Sequence, residues 1–205
     1  MSRLDGKVAF ITGAARGQGR SHAIALAREG ADIVAVDLCA DLPGVPYGMA
    51  GREDLAETER LVTEAGGRVV ARVADVRDLG ALDAAVRDGV AEFGRLDIIL
   101  ANAGFVSYSP LSEMSVDTWQ QMIDINLTGV WKTVRAAVPT MIEAGRGGSI
   151  VLTSSTAGLK TYDTIGHYVA AKHGVTGLGK TLASGLGSHG IRVNSIHPTN
   201  VNPPM

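Results

Sequence analysis

Residues 6–30 constrain the fold more than any other stretch of the chain. The run G-K-V-A-F-I-T is apolar, too short for a helix and closed by Gly13, so it reads as a buried strand. Gly13, Gly17 and Gly19 follow in T-G-A-A-R-G-Q-G, and then S-H-A-I-A-L-A-R-E-G, whose apolar positions recur at helical spacing until Gly30. A strand joined to a helix by a tight glycine turn is half of a parallel crossover unit, which commits the chain to a parallel sheet with helices on its faces. The turn also suits an anion. Glycine lets the backbone approach a pyrophosphate with no Cβ between them, and the helix start offers unpaired N–H groups. Glycines alone could be turn punctuation, but their strand and helix flanks favour a dinucleotide site. Their spacing, G-x-x-x-G-x-G, departs from the G-x-G-x-x-G fingerprint.

The second strand, A-D-I-V-A-V-D, ends in Asp37, eighteen residues beyond Gly19, where the adenosine ribose lies in such sheets. A carboxylate there accepts hydrogen bonds from both ribose hydroxyls and repels a 2′-phosphate. At about 4 Å and an effective dielectric near 20, each pair of like charges costs roughly 4 kcal/mol. Asp37 therefore favours NAD over NADP; Arg16 in the glycine turn pulls the other way, and Leu38 adds no second cation. The plain alternative for Asp37 is a solvated loop acid.

Strands and helices alternate through the rest of the chain. A helix near Glu53 to Glu64 precedes a strand running to Asp75, and a helix from Leu79 to Glu92 precedes one ending at Ala101. A long helical stretch from Ser115 to Ala144, a strand leading to Ser155, a helix carrying Tyr168 and a last strand in I-R-V-N-S-I-H-P complete the order. This predicts an α/β fold, a doubly wound parallel sheet in one three-layer domain over residues 1–205, ending after its sixth strand. Two features stand out. The segment after Asp37, L-C-A-D-L-P-G-V-P-Y-G-M-A-G-R-E-D, is far longer than the roughly two to six residues usual in such loops. A sheet finishing at its sixth strand would leave a long apolar edge without cover, so the natural chain is expected to run past Met205 into a substrate lid, a helix and a seventh strand.

Tyr168 and Lys172 stand four apart in G-H-Y-V-A-A-K-H, on one helix face, so that the ammonium can reach the phenol oxygen. A free phenol titrates near pH ~10, and a neighbouring cation lowers it. By itself the pair could be an aromatic packed beside a snorkelling lysine. With T-G-A-A-R-G-Q-G, Asp75-Val76, Asn102-Ala103-Gly104, Asn126 in D-I-N-L-T-G, and Ser155 in L-T-S-S-T-A-G, in that order, the chain resembles the short-chain dehydrogenase/reductase family from Leu4 to its last residue. That resemblance implies a Rossmann sheet and reversible hydride transfer between a secondary alcohol, or its ketone, and NAD. Tyr168 would be the general acid/base, and Lys172 would lower its pKa and hold the nicotinamide ribose. Ser155 would bind the substrate oxygen, and Asn126 would hold a water linking Lys172 to solvent. Ser155 as a strand-end turn residue and Asn126 as a brace for a helix kink are the structural alternatives.

The same resemblance implies cofactor contacts at Gly13, Arg16, Gly17, Gln18, Gly19, Asp37, Leu38, Asp75, Val76, Asn102, Ala103, Gly104, Tyr168, Lys172, Pro198, Thr199 and Val201. The long loop, Gln18, Gly166-His167, and H-P-T-N-V in place of the usual proline-glycine pair resemble the carveol dehydrogenase group of actinobacterial, mycofactocin-associated enzymes. For that group the implication is a tightly bound NAD whose electrons pass to an external electron acceptor, with a terpenoid alcohol such as carveol as substrate. A non-catalytic NAD-binding regulatory or scaffold protein would be marked by loss of Ser155, Tyr168 or Lys172, and none is lost.

Composition narrows the remaining classes. At 205 residues, 45% hydrophobic and a formal charge of −2, there is no basic excess to suggest nucleic acid. Neither a membrane span nor a secretory signal is visible, which points to the cytoplasm. Cys39 is alone, and five histidines at non-ligand spacings argue against a metal. The long helices at 115–144 and around Tyr168 are candidate faces for a homo-oligomer, a dimer or tetramer.

Overall fold

The computed structural model describes residues 2–201; Met1 and residues 202–205, on which the expectation about the chain end bears, lie outside them. Six parallel strands form one sheet in the order β3-β2-β1-β4-β5-β6. They are β1 (Val8–Thr12), β2 (Asp32–Asp37), β3 (Val69–Val73), β4 (Ile98–Ala101), β5 (Gly148–Thr153) and β6 (Ile191–Ile196). Between them run α1 (Gly17–Arg28), α2 (Arg52–Glu64), α3 (Leu79–Phe93), α4 (Val116–Ile123), α5 (Gly129–Ala144) and α6 (Gly166–Leu186). The strand order reverses between β1 and β4, and their carboxyl ends open the crevice in which such sheets bind ligands.

Period-two alternation along β1 divides the core into two layers. Ala9 and Ile11 pack with Ala23 and Ala27 of α1 and Leu55 and Val62 of α2. Val8 and Phe10 face the larger layer, with Leu82 and Val86 of α3, Val134 and Met141 of α5, and Val175 of α6. Helix ends follow local chemistry. The Asp78 carboxylate accepts from Ala81 N–H at 3.1 Å and the Ser115 hydroxyl from Thr118 N–H at 3.1 Å, which caps α3 and α4.

The long helical stretch expected from Ser115 to Ala144 is present, with one irregularity. Residues Asp124–Thr128 form a π turn between α4 and α5, in which Gly129 N–H bonds to Asp124 O, and Asn126 sits in its middle. The expected apolar edge differs from what is observed. In β6, exposed Arg192 and Asn194 follow buried Ile191 and Val193 in turn, so the first part of the open strand alternates apolar with polar. Their register partners on β5 are Ser149 and Val151, both part-buried.

Asp97, immediately before β4, ties two central strands together. Its buried carboxylate accepts from Val8 N–H at 3.0 Å, from Arg95 Nε at 2.8 Å and from Lys7 at 3.4 Å. Burial pushes its pKa up, but the bonds from Arg95 and Val8 and the charges of Arg95 and Lys7 together bring it below the usual carboxylate range. A depressed carboxylate stabilises the fold at pH values above its unfolded pKa of about 4, and this stabilisation is lost as pH falls through the folded value. Asp97→Ala is expected to cost roughly 2–3 kcal/mol at pH 7. The deficit should shrink as the pH of urea unfolding is lowered from 6 to 3, and a deficit that stays constant would refute the assignment.

Candidate active site

The chemistry collects at the carboxyl ends of β1, β4 and β5. Gly13 is left-handed at φ +69°, and a Cβ there would stand 2.8 Å from Ala103 Cα, so the turn after β1 packs directly on the turn after β4. Asn102 bonds across it, its amide nitrogen donating to Thr12 O at 3.1 Å and its carbonyl oxygen accepting from Thr153 Oγ1 at 3.3 Å. A cleft of about 160 Å³ opens over this junction. From the expected cofactor contacts it gathers Gly13, Arg16, Asp37, Leu38, Asp75, Val76, Asn102, Ala103 and Gly104. Gly17, Gln18 and Gly19 lie in the first turn of α1 instead, and Pro198, Thr199 and Val201 follow β6 outside the cleft wall. Among the described residues no group of three His, Cys, Asp or Glu side chains could hold a metal ion, and no helix is long and apolar enough to cross a membrane.

Asp37 is held from two sides. Its Oδ2 accepts from Ala15 N–H at 2.9 Å and its Oδ1 from Cys39 N–H at 3.2 Å. Cys39 itself adopts a left-handed φ of 53°, a strained geometry for a residue with a Cβ, where the loop leaves Asp37. Burial raises the Asp37 pKa, opposed by the N–H groups of Ala15, Cys39 and Leu38 and by the Arg16 charge. Each carboxylate oxygen keeps acceptor capacity beyond one N–H, which suits a ribose diol. Asp75 lies two residues beyond β3, and Arg77 engages it through Nε and Nη2 at 2.8 and 2.6 Å. Any contact from Asp75 to an adenine would therefore share a carboxylate already paired with a guanidinium.

The loop at 38–51, whose length beside Asp37 predicts a flap over the adenosine end, folds onto the cleft; which of its residues line it was not foreseen. Leu42 and Ala50 are buried, and Leu42, Tyr47, Met49 and Ala50 line the cleft. Tyr47 closes the loop against the opposite wall, its phenol donating to Val106 O at 3.2 Å and accepting from Val106 N–H at 3.1 Å. The signal was the apolar content of L-P-G-V-P-Y-G-M-A, unusual for a solvated loop.

Ser155, Tyr168 and Lys172 converge beside this cleft, with Asn126 behind them. The extended Ser155 caps a short 3₁₀ turn, and its Oγ accepts from Ala157 N–H at 3.1 Å. Burial raises the Tyr168 pKa; the hydrogen bond with Ser155 draws it back, and Tyr47 and Tyr108 add to the rise. The expected contact from Lys172 to the phenol oxygen is replaced by another. Lys172 Nζ donates to Thr153 O at 2.8 Å and lies 5.4 Å from the centroid of the Tyr168 ring. The helix brings both residues to one face, but the carbonyl at the end of β5 is the stronger acceptor for a buried ammonium. Lys172 is 2% exposed, and burial pushes its pKa down to about 8.

Asn126 is wholly buried. Its Oδ1 accepts from Phe105 N–H at 3.2 Å and its Nδ2 donates to Met122 O at 3.4 Å, so the side chain braces the π turn against the segment after β4. A Cβ at Gly104 would stand 2.6 Å from Asn126 Oδ1 and 3.5 Å from Lys172 Nζ. Only glycine lets the chain pass between them.

A sequence model of the short chain dehydrogenase family matches residues 7–205. The chain is 55% identical to the (-)-trans-carveol dehydrogenase of Rhodococcus erythropolis, covering 100% of this chain and 74% of that one. It is 57% identical to an uncharacterized NAD-dependent oxidoreductase of Mycobacterium tuberculosis, covering 98% and 74%. The crystal structure of carveol dehydrogenase from Mycobacterium avium in complex with NAD superimposes with a TM-score of 0.95 at 56% identity, covering 97% of this chain and 72% of that one.

Proposed function

The chain belongs to the short-chain dehydrogenase family, and from that premise we propose that it interconverts a secondary alcohol and its ketone with NAD, in the cytoplasm. Residues 1–205 act as one NAD-binding domain in this reading. The observation that carries it is the grouping of Ser155, Tyr168 and a buried Lys172 beside a cleft that contains Asp37. Bound NAD would supply the hydride acceptor and donor at its nicotinamide C4.

The protein's own residues do the rest. Asp37 takes the ribose hydroxyls, and the Gly13, Gly17 and Gly19 turn accepts the pyrophosphate at the start of α1. Arg16, Gln18, Leu38, Asp75, Val76 and Asn102 to Gly104 complete the hold, with Pro198, Thr199 and Val201 on the nicotinamide side. Ser155 donates its hydroxyl proton to the substrate oxygen, since one of its lone pairs is spent on Ala157 N–H. Tyr168 takes the alcohol proton in oxidation and returns it in reduction. Lys172, fixed on Thr153 O, places its charge under the tyrosine ring and within reach of a ribose. The water-holding role implied for Asn126 would share a side chain whose oxygen already accepts from Phe105 N–H and whose nitrogen donates to Met122 O.

The test is a titration with both cofactors followed by turnover with cyclic and terpenoid secondary alcohols. NAD should bind at least tenfold more tightly than NADP, and Asp37→Ala should narrow that ratio by weakening NAD and relieving the 2′-phosphate repulsion. Tighter binding of NADP by the parent would refute the role of Asp37.

The finer reading is that a terpenoid alcohol such as carveol is oxidised by an NAD that stays bound, its electrons leaving to an external electron acceptor of the mycofactocin type. What supports it is the loop at 38–51, latched on Val106 across the cleft. Release would require the latch to open, which slows dissociation more than association. The purified protein should yield NAD on denaturation, reduce it once with alcohol, and need an added acceptor for sustained turnover. Tyr47→Phe should speed exchange of labelled NAD at least tenfold, and exchange within seconds in the parent would show that the loop is no lock. Exposed Val116, Trp119 and Trp131 along α4 and α5 support a homo-oligomer, a dimer or tetramer.

A further inference from the structure

We propose that His197 is a positioning residue for Ser155, a role that rests on the reading of Ser155 as the holder of the substrate oxygen. β5 and β6 stay paired beyond their last strand residues. Ser154 N–H donates to Ile196 O at 2.9 Å, and Thr156 N–H donates to Pro198 O at 3.0 Å. In a parallel ladder the bond between these two would run from Pro198 N–H to Ser154 O, and proline has no amide proton. Next to that break in the ladder, His197 reaches from its side chain to the following carbonyl, that of Ser155. Its Nδ1 lies 2.9 Å from Ser155 O, and its Nε2 lies 2.9 Å from Ser195 Oγ.

The chemistry of these partners fixes the ring. A carbonyl oxygen only accepts, so Nδ1 carries the proton; in the neutral imidazole Nε2 is then the acceptor, and the Ser195 hydroxyl donates to it. The imidazole is thus clamped between β6 and the Ser155 peptide. Ser155 O also accepts from Gly158 N–H at 2.8 Å, and Ser155 Oγ accepts from Ala157 N–H at 3.1 Å. His197 is the one partner of Ser155 among these that does not belong to the 3₁₀ turn itself. Without it, the Ser155 peptide can rotate between neighbours that stay anchored, Ser154 on Ile196 O and Thr156 on Pro198 O, and this shifts the serine hydroxyl relative to Tyr168. A misplacement of about 1 Å costs up to about 100-fold in rate.

Three substitutions separate positioning from general packing. In His197→Asn the amide nitrogen stands off the backbone as Nδ1 does, so the bond to Ser155 O is kept. In His197→Gln the amide reaches toward the Nε2 position, and His197→Ala has no donor. With a cyclic ketone and NADH, Asn should keep kcat within about threefold of the parent, while Gln and Ala fall about tenfold or more, with NAD affinity changed less than about threefold in all. Ala within threefold of the parent, or Gln equal to Asn, would overturn the proposal. A readout independent of turnover is the ¹⁵N NMR signal of the imidazole, assigned by its loss in His197→Asn. A protonated Nδ1 and an unprotonated Nε2 are expected, and the reverse tautomer would overturn the proposal. A parent without turnover would fault the dehydrogenase reading instead, and the tautomer would still decide whether His197 holds Ser155.

Discussion

Tyr168→Phe is expected to reduce turnover by about a thousandfold or more while leaving NAD affinity within a few fold of the parent. The substitution keeps the ring that lies beside Lys172 and removes only the oxygen that, in the proposed reaction, exchanges a proton with substrate. General acid–base catalysis contributes about 10²–10⁴, and loss of a group used only in the transition state lowers kcat and kcat/KM together. The pH dependence adds a second check. Burial raises the phenol, so the unprotonated form that oxidation needs is scarce at neutral pH in the protein alone. Alcohol oxidation by the parent should therefore climb as pH rises through the alkaline range, while ketone reduction, which uses the protonated phenol, should stay level or fall. Residual activity within tenfold of the parent, or an oxidation rate that falls with rising pH, would remove Tyr168 from the acid/base role.

The parts of this molecule that follow a period were legible in the sequence. Residues 8–12 and 32–37 form strands and Gly17–Arg28 a helix, because an apolar run, a glycine turn and a 3.6-residue repeat each have one compatible backbone. Asp37 could be placed at a strand end for the same reason. What escaped has no period. Asn126 could be read as a brace for a helix kink, but nothing in D-I-N-L-T announces the i→i+5 bond itself, beside which Asn126 answers Phe105 N–H from another part of the chain. The loop at 38–51 takes its course from a left-handed Cys39 and from a tyrosine that finds a main-chain partner 59 residues away. Helical spacing correctly put Tyr168 and Lys172 on one face. It could not show that the Thr153 carbonyl, brought alongside by the sheet, would claim the ammonium.

Lys172→Met is expected to make the cofactor-free protein more stable while abolishing most of its activity. An ammonium that is 2% exposed and whose pKa is pushed down to about 8 from 10.5 is held at neutral pH against its own desolvation. Two to three pKa units correspond to roughly 3 kcal/mol, of which the lost bond to Thr153 O returns about 1 kcal/mol, so a net gain of about 1–2 kcal/mol remains for an apolar chain of similar volume. The sign of the pH dependence follows from the lowered pKa. Below about pH 8 both folded and unfolded lysine are charged and the penalty is full; as pH rises from 8 to 10.5 the folded lysine discharges first, and the penalty fades. The stability difference between Lys172→Met and the parent, measured by urea unfolding without cofactor, should thus be largest at pH 7 and shrink toward pH 10. Turnover should fall at least a hundredfold, since the charge beneath Tyr168 and the anchor for a ribose are removed together. A variant less stable than the parent at pH 7, or a difference that widens with pH, would show that Lys172 is there for the fold. The expected result would show that the fold carries a buried charge at a cost, in the place where a proton relay needs one.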